Sequence, residues 1–403
     1  MKILLSAYAC EPDKGSEPGV GWHWAIELVR LGHEVHVLTR ANNETAIVEE
    51  VSKLKCKNLY FIYYDLPAYL KWWKKGGRGV RTYNLLWQIG AYSVAKEMHK
   101  SLNFDLVHHI TFGVVRQPSF MGGLNIPFIF GPLGGGEKAP YLLRKSYPIR
   151  GKILDFIRDC LNYFIRIDPL MRLTFRKATT IYAKTPESKN VIPECYHDKV
   201  KVQLEVGIEP IEKKATSIEV NKDNIFNVLY VGRFLYLKGG HLLLPAFSKA
   251  LKELPSLKLT MIGNGPEERA WKKIAKAEGI EHVVNWISWV NQKELSAIYD
   301  AHDILLFPSL HDSSGNVVLE SLAHALPVIC LDLGGPSVMV DEKCGCVIET
   351  VNKSEDQVSQ DLCDSILKLA ADGELYSRLK KGALNQSKKY KWSCVVRGVY
   401  ESK

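Results

Sequence analysis

Two cations and two acids in the second half of the chain are the residues best suited to chemistry. Arg233 follows a strand-like apolar run, and Lys238 comes five positions later, directly before a Gly-Gly pair. Cations at a strand end and a helix start can hold a diphosphate from two directions. The alternative is a solvated turn with incidental charge. Asp312 precedes an apolar helix pattern and Glu320 lies within it. Packing explains neither acid, and Glu320 suits hydrogen bonds from ribose hydroxyls.

These acids lie in a segment that predicts a strand, a turn, a helix and a second strand in succession. The turn is expected at Leu310–Gly315, the helix at Asn316–Ala325 and the second strand at Pro327–Leu331. Carboxyl ends of parallel strands meet helix N-termini at one edge of a sheet, where ligands bind. The residues expected to line this crevice, besides the two acids, are Ser314, Gly315 and Asn316.

Two more strand ends in this half carry candidate binding residues. The segment Met261–Pro266 closes one strand with a glycine-rich turn, which places Gly263 and Asn264 beside the same crevice. The next strand ends between Trp286 and Trp289. Because an aromatic ledge at that level suits a nucleobase, we expect Trp289 to contact the ligand.

A glycine-rich turn follows the first predicted strand, Lys2–Ala9. Glycines 15, 19 and 21 would let a backbone approach a ligand closely beneath a helix N-terminus. Their spacing does not fit the dinucleotide-binding fingerprint. The turn therefore suits a close approach of its backbone to a ligand without indicating NAD.

A predicted strand, Asp105–Thr111, carries two adjacent histidines. Adjacent strand residues face opposite sides, so His108 and His109 cannot both ligate one metal ion. We expect one to pack inside the protein and the other to point into the crevice. Two structural histidines are the alternative.

The composition is that of a globular protein, with 46% hydrophobic and 24% charged residues among 403. This length predicts two domains. No apolar run approaches the roughly 20 residues of a membrane-spanning helix. Nine scattered cysteines, an odd number, indicate reduced thiols, so we expect an unexported, cytoplasmic protein. The formal net charge of +9 suits either an anionic ligand or surface, or solubility alone.

Strand-like runs alternate with helical patterns on both sides of a polar segment, which predicts two parallel α/β sheets. The first domain is expected at 1–207 and the second at 225–385. The polar, unpatterned residues 208–224 are expected to form the linker between them.

Two basic stretches in the first half are candidates for contact with an anionic membrane. Tyr69–Arg81 has five cations, no acid and two adjacent tryptophans. Tyr141–Lys177 has nine Lys or Arg against three Asp, and its apolar residues recur at helical spacing. The alternatives are an ordinary basic loop and a helix whose apolar face packs on its own domain.

Taken in order, these motifs resemble the retaining family 4 glycosyltransferases of the GT-B fold. Residues 232–239 read Gly-Arg-x4-Lys-Gly, residues 263–266 read Gly-x-Gly-Pro, and residues 312–320 have an acid and a Glu separated by seven positions. Gly15-Ser16 lies where that family has a Gly-Gly pair, and Asp105-Leu-Val-His108 resembles its acceptor-side strand. The similarity extends over nearly the whole chain.

The resemblance implies an α/β protein with two Rossmann-like parallel-sheet domains facing a central cleft. Residues 386–403 would form a helix that packs back on the first domain. Arg233 and Lys238 would bind the donor diphosphate and stabilise the charge on the departing nucleoside diphosphate. Glu320 would hold the ribose, and Asp312 would contact hydroxyls of the donor sugar.

In the first domain, the resemblance implies that Gly15 and Ser16 contact the donor, with the Gly15 N–H near the phosphates or the reaction centre. His108 or His109 would line the sugar and acceptor side. Family members use no essential metal, and they transfer the sugar with net retention. The other donor contacts would come from Gly263, Asn264, Trp289, Ser314, Gly315 and Asn316.

The chain departs from the family pattern at three places. Asp312 stands where a Glu is usual, Ile110 replaces the second histidine of a His-x-His version, and Pro336-Ser-Val-Met follows Gly334-Gly335 without the usual acid. These departures leave open the donor's identity and which histidine faces the site.

Together with these features, the resemblance implies a metal-independent, retaining hexosyltransferase that uses a nucleoside diphosphate sugar and needs no cofactor. The acceptor is expected to be a glycan or a lipid-linked glycan of polysaccharide biosynthesis at the inner membrane face, and no nucleic-acid partner is expected. The alternatives are a nucleotide-sugar epimerase or hydrolase of the same fold and a catalytically weak sugar-nucleotide-binding assembly subunit.

Overall fold

The computed structural model shows two compact units, each built around its own parallel sheet. The first unit comprises 1–136, 160–207 and 392–403, and the second comprises 137–159 and 208–391. This architecture confirms the predicted α/β class with two Rossmann-like sheets. The structure describes residues 1–54, 56–74, 76, 79–209, 211 and 225–401.

The sheet of the first unit is parallel throughout its described strands. They are β1 (Lys2–Ser6), β2 (Glu34–Arg40), β3 (Leu59–Tyr64), β4 (Leu106–His109), β5 (Phe128–Leu133), β6 (Thr180–Ala183) and β7 (Val200–Val202). Their spatial order is β3-β2-β1-β4-β5-β6-β7, so the order reverses between β1 and β4. A ligand crevice opens at such a switch point because the two following loops diverge.

Helices cover this sheet, and the long helix α3 was not predicted. Its buried residues Tyr83, Trp87, Ala91 and Ala95 recur every four positions, which is the signal that predicts a packed helix. The helices are α1 (Ser16–Arg30), α2 (Glu44–Lys53), α3 (Val80–Leu102), α4 (Ile149–Phe164), α5 (Pro169–Lys177) and α6 (Pro186–Val191). Helix α4 begins among residues of the second unit and ends among residues of the first.

The sheet of the second unit is also parallel and has the same kind of reversal. Its strands are β8 (Phe226–Val231), β9 (Leu257–Ile262), β10 (Val284–Ile287), β11 (Ile304–Phe307), β12 (Val328–Leu331) and β13 (Gly345–Ile348). Their spatial order is β10-β9-β8-β11-β12-β13, with the switch point between β8 and β11.

The remaining helices connect these strands or follow them. They are α7 (Gly240–Glu253), α8 (Glu268–Ala277), α9 (Gln292–Ala301), α10 (Asn316–Ala323), α11 (Gly334–Met339), α12 (Glu355–Ala371), α13 (Gly373–Lys389) and α14 (Trp392–Tyr400). Short 3₁₀ turns lie at Ala41–Asn43, Ala68–Leu70, Met121–Leu124, Tyr141–Arg144, Glu194–Lys199, Tyr236–Lys238 and Glu281–Val283. Within the described ranges, no helix has the length and apolar character needed to cross a membrane.

The unit boundaries differ from the predicted ones because residues 137–159 pack with the second unit. Tyr147 meets Tyr236 edge-on with ring centroids 4.8 Å apart, and the Tyr236 hydroxyl donates to Asp155 at 3.0 Å. Of the predicted linker, residues 210 and 212–224 lie outside the described residues.

The C-terminal helix α14 is part of the first unit. Trp392 stacks on His23 with ring centroids 4.4 Å apart, and the Tyr400 hydroxyl lies 2.8 Å from Nδ1 of His108. The helix therefore joins the core of that unit beside β4.

Candidate functional site

The second unit places its candidate residues beyond the carboxyl ends of two neighbouring strands. β8 pairs in parallel with β11 at the switch point of the sheet. The chain leaves β8 toward Arg233 and Lys238, and it leaves β11 toward Asp312. Open α/β sheets bind ligands at such a point. The sequence therefore brings its cations and its unusual acid to the edge where a ligand is expected.

Lys238 and Asp312 form an ion pair at this edge. Nζ of Lys238 lies 2.5 Å from Oδ2 of Asp312 and also donates to the carbonyl of His311 at 3.2 Å. Oδ1 of Asp312 accepts from the backbone N–H groups of Ser314 and Gly315 at 3.2 and 2.9 Å. Burial alone would raise the pKa of Asp312, but Lys238 and these donors hold it below its usual value. The carboxylate is ionised at neutral pH and fixes the lysine.

The turn after β12 contacts the turn that carries Asp312 and holds it in place. Gly334 has φ 65°, and a Cβ there would strike the carbonyl of Asp312. The N–H of Gly335 donates to that same carbonyl at 2.8 Å. Because the two backbones are in contact, only glycine fits at 334, and the ion pair rests on a rigid support.

Arg233 lies on a turn that is tied to the turn after β9. The N–H of Phe234 donates to the carbonyl of Asn264 at 2.8 Å. Gly263 has φ 142°, and a Cβ there would strike the carbonyl of Gly232. The Arg233 side chain is exposed, and within the described part of the chain its guanidinium has no hydrogen-bond partner. Its backbone is fixed while its charge stays available to a ligand.

The two tryptophans at the end of β10 differ in exposure, and the ligand contact of Trp289 stays a prediction. Trp289 is 73% exposed, whereas Trp286 is half-buried and packs edge-on against Phe234 with centroids 5.8 Å apart. Nδ2 of Asn264 donates to the carbonyl of Ser288 at 3.3 Å. Trp286 is thus the packed ring at this level, and Trp289 extends into solvent.

Glu320 lies on α10 and has a partner that the sequence did not indicate. The hydroxyl of Tyr299, on α9, donates to Oε2 of Glu320 at 2.9 Å. Burial raises the pKa of Glu320, and the hydrogen bond from Tyr299 partly counters this. The tyrosine thus orients the carboxylate. No sequence signal marks it, because a buried tyrosine in a helix usually serves packing.

A second residue that was missed is Glu137. It is 1% exposed, and its carboxylate accepts a hydrogen bond from Oγ of Ser313 at 2.7 Å. In the sequence, only the glycine-rich run 131–136 before it indicates that a ligand could lie near Glu137. Asn316, a predicted donor contact, is the first residue of α10 and is partly buried. The loop after β11 therefore has polar contacts at each of its consecutive residues from 312 to 315.

In the first unit, the three glycines of the turn after β1 have different roles. A Cβ on Gly19 would strike the carbonyl of Lys14, and one on Gly21 would strike that of Ala9, so both serve close packing. Gly15 has open space where a Cβ would point, and it is exposed at the N-cap of α1. Ser16, also exposed, has φ 59°. Gly15 is thus the glycine of this turn that a ligand can approach.

Both candidate histidines are buried inside the first unit. Nδ1 of His108 lies 2.8 Å from the Tyr400 hydroxyl and Nε2 lies 2.8 Å from the carbonyl of Gly131. Nδ1 of His109 lies 3.0 Å from Oγ of Ser119. Burial lowers the pKa of His108 to about 3 and that of His109 to about 4. Both rings are neutral at physiological pH, and an acceptor-side role for either remains a prediction.

The second unit matches a known family. Residues 211–386 match the family model described as Glycosyl transferases group 1. This segment is similar to the group 1 glycosyltransferases. It contains Arg233, Lys238, Asp312 and Glu320, so the family match covers the four residues on which the site was built.

Two curated relatives extend this similarity. An uncharacterized glycosyltransferase of Methanocaldococcus jannaschii is 28% identical over 334 residues, which are 76% of this chain and 74% of that protein. The D-inositol 3-phosphate glycosyltransferase of Corynebacterium aurimucosum is 27% identical over 176 residues. That alignment spans 42% of this chain and 40% of the relative, so this chain matches less than half of its length.

Solved structures show the same fold over the whole chain. HepE from Anabaena in complex with UDP has a TM-score of 0.62 at 14% identity, and the superposition covers 100% of this chain and 99% of that one. At this identity the likeness concerns the fold alone. The fold is therefore the GT-B type of two Rossmann-like domains, and the comparisons support a glycosyltransferase.

Proposed function

We propose that this protein transfers a hexose from a nucleoside diphosphate sugar to a glycan or lipid-linked acceptor. The observation that carries the proposal is the Lys238–Asp312 ion pair at the switch point of a sheet that matches group 1 glycosyltransferases. HepE has been solved with UDP and with UDP-glucose, and this supports a nucleotide sugar as the ligand class.

Lys238 and Arg233 would bind the diphosphate in different ways. The Lys238 side chain is 15% exposed and already positioned, whereas Arg233 is exposed and would become ordered when the ligand binds. A preorganised charge stabilises a developing anion without reorganising during the reaction. We therefore propose that Lys238 stabilises the departing nucleoside diphosphate, that Arg233 closes over it, and that no metal ion is required.

Glu320 and Asp312 would hold the two polar ends of the donor. Glu320 would accept hydrogen bonds from the ribose hydroxyls, with its orientation fixed by Tyr299. Oδ1 of Asp312 already accepts two backbone N–H groups, whereas Oδ2 accepts, among the described residues, only from Lys238, so Oδ2 keeps a second lone pair for a sugar hydroxyl. Asp312 would thus act on the sugar directly and on the diphosphate through Lys238.

We propose net retention of the anomeric configuration by front-face attack. The bond from the anomeric carbon to the phosphate oxygen breaks, and the acceptor oxygen bonds to that carbon on the same face. The phosphate oxygen that leaves takes the proton of the acceptor hydroxyl. The buried histidines of the first unit would then shape the acceptor side without acting as the base. The backbone of Gly15 would also help to shape it.

The lipid-linked acceptor is proposed from the basic aromatic stretches of the first half of the chain. In Tyr69–Arg81, Trp72 is 78% exposed, and Lys74 lies with Nζ 5.0 Å from the Tyr83 ring centroid. Tryptophan and lysine together suit the interface of an anionic bilayer. We therefore propose a cytoplasmic enzyme that works at the inner face of the membrane.

The test is a panel of nucleotide sugars, with release of nucleoside diphosphate measured with and without acceptors. A lipid-linked glycan and the soluble D-inositol 3-phosphate are the acceptor arms. We expect acceptor-dependent release, a product of retained configuration by proton NMR, and activity that survives chelation of divalent metals. Conversion of the donor at the same rate with and without an acceptor would indicate the epimerase or hydrolase instead. Nucleotide binding without turnover would indicate a binding subunit.

Arg233→Ala provides the residue-level test. If the guanidinium closes over the diphosphate, this variant loses transfer while its thermal unfolding is unchanged, because Arg233 supports no described contact of its side chain. Unchanged transfer would contradict the diphosphate assignment. Arg269→Ala, which removes an arginine from the surface of helix α8, is the matched control and should retain full activity.

A further inference from the structure

Helix α4 exposes the side that its sequence pattern predicts to be buried. Phe156 is 68% exposed, Tyr163 70% and Phe164 55%. Ile153, Ile157 and Leu161 on the same helix are also exposed. Packing of this apolar side on its own domain, one of the two alternatives raised by the sequence, is therefore wrong.

The buried side of α4 is polar instead. Asp155, Arg158, Asp159 and Asn162 recur at the spacing of one helix face. Asp155 pairs with Arg158 at 2.7 Å, and Asn162 accepts a hydrogen bond from Arg116 in the first unit. An ordinary surface helix has the reverse arrangement, with its charged face in water. The apolar side chains of α4 thus do not contribute to the core of the protein.

The apolar exposure continues past the end of α4 within the first unit. We define the α4–α5 face as Leu161, Phe164, Ile167, Leu170 and Leu173, each between 39% and 66% exposed. A contiguous exposed apolar surface of this kind marks a site of interaction. Nothing in the described part of the chain covers it.

The charges around this face identify the partner. Of the three acids in Tyr141–Lys177, Asp155 and Asp159 are turned inward, and Asp168 caps the N-terminus of α5. Exposed cations border the face on α5 and before it: Arg166, Arg172, Arg176 and Lys177. An apolar surface with a positive border fits an anionic lipid bilayer, whose headgroups meet the cations while its chains meet the apolar residues.

A groove of about 740 Å³ opens at the edge of the face. Leu161, Phe164, Ile167 and Leu170 form one wall, so four residues of the face also line the groove. The other wall carries apolar and cationic residues of the first unit, among them Leu85, Val114, Arg81 and Arg116. This lining suits a hydrocarbon chain that enters from the bilayer with an anionic headgroup at the mouth.

We propose that the α4–α5 face docks the protein on an anionic lipid bilayer and that the groove takes up a lipid hydrocarbon chain. The proposal adds a docking surface to the membrane location given under the proposed function. It rests on the proposed function only for the reason why the enzyme would dock on a membrane. Binding to vesicles can be measured without any transfer reaction. A failure to bind vesicles is therefore distinguishable from a failure to bind or turn over a nucleotide sugar.

The experiment is co-sedimentation of the full chain with vesicles of phosphatidylcholine alone or with about one third phosphatidylglycerol. The wild type should bind the anionic vesicles and bind the neutral ones more weakly. Phe164→Glu and Ile167→Glu should each lower the partition coefficient at least about tenfold, because each places a charge among lipid chains. Ile89→Glu, at an exposed isoleucine of α3, is the matched control and should bind as the wild type does.

Thermal unfolding of each variant, followed by circular dichroism without vesicles, shows that the first unit, which carries the substitutions, is still folded. Equal binding of the wild type and Phe164→Glu to vesicles would overturn the proposal, as would equal loss in Ile89→Glu. The proposal would also be overturned if the wild type did not bind vesicles but formed a dimer, and if Phe164→Glu abolished that dimer. The face would then bind a second copy of the chain.

The groove has its own readout. Leu170→Trp places an indole at the groove, and vesicles with brominated acyl chains should quench its fluorescence beyond the quenching seen in the wild type. No additional quenching would overturn the chain-entry part of the proposal. Arg172→Gln with Arg176→Gln should reduce the preference for anionic vesicles while leaving the residual apolar binding, and an unchanged preference would contradict the role of the cations.

Discussion

Replacing Lys238 by methionine tests the site where its chemistry is most specific. The substitution keeps most of the side-chain length and removes the charge that lies 2.5 Å from Asp312. A hydrogen bond to a charged group contributes about 1.5–3 kcal/mol, so binding of a nucleoside diphosphate should weaken roughly 10- to 150-fold. Transfer should fall further, because the lysine charge is expected to matter most when the leaving group becomes negative.

The same substitution has a separate cost in stability. Asp312 would remain 20% exposed and keep its two backbone donors, so it loses one partner of three. We expect the free energy of unfolding to fall by about 1–3 kcal/mol, less than for a fully buried pair. The pKa of Asp312, which Lys238 helps to hold low, should rise toward its usual value.

Isothermal calorimetry with UDP, GDP and ADP, together with urea unfolding, separates these two effects. Lys249→Met is the control, since Lys249 on helix α7 pairs with the exposed Asp356 at 2.7 Å. If Lys238→Met bound every nucleoside diphosphate within about twofold of the wild type, the assignment of Lys238 to the diphosphate would be refuted.

The remaining predictions concern the second unit and the basic stretch. Asp312→Asn should lower the free energy of unfolding at neutral pH, and the difference from the wild type should vanish as pH falls through the lowered pKa of Asp312. Glu320→Gln should not destabilise the protein at neutral pH, because burial raises the pKa of Glu320 and makes its ionised form costly. Calorimetry of the Glu320 variant should show about tenfold weaker nucleotide binding with pyrophosphate binding unchanged. Gly263→Ala should abolish nucleotide binding, while Gly279→Ala, also at positive φ but in open space, should cost only about 1 kcal/mol in urea unfolding. Trp72→Ala should reduce flotation with anionic vesicles, and unchanged flotation would remove that tryptophan from the membrane contact.

Much of the second unit was predictable because its site is built from strand ends. Once Phe226–Val231 and Ile304–Phe307 are recognised as strands of one parallel sheet, Arg233 and Asp312 must emerge at the same edge. The glycines that let these turns touch are visible in the sequence for the same reason. Tyr299 could not be found this way, because its contact with Glu320 joins two helices whose relative rotation no local pattern encodes.

The histidines show where strand alternation stops being informative. Alternation places His108 and His109 on opposite faces of the sheet. Alternation does not say what covers each face. Here Tyr400 of the C-terminal helix contacts the ring of His108, and Ser119 contacts the ring of His109. Residues 137–159 are a similar case, since their membership of the second unit depends on contacts with Tyr236 that are distant in sequence.

By itself, the sequence determined the two parallel sheets, the edge at which the cations and acids emerge, and the presence of an amphipathic helix within Tyr141–Lys177. Periodicity in a sequence shows that a helix has two different faces. Only the tertiary structure decided which face is covered, because burial depends on the partners that the fold supplies. In α4 those partners are Arg116 and Arg144, so the polar face turned inward and the apolar face was left for an external partner.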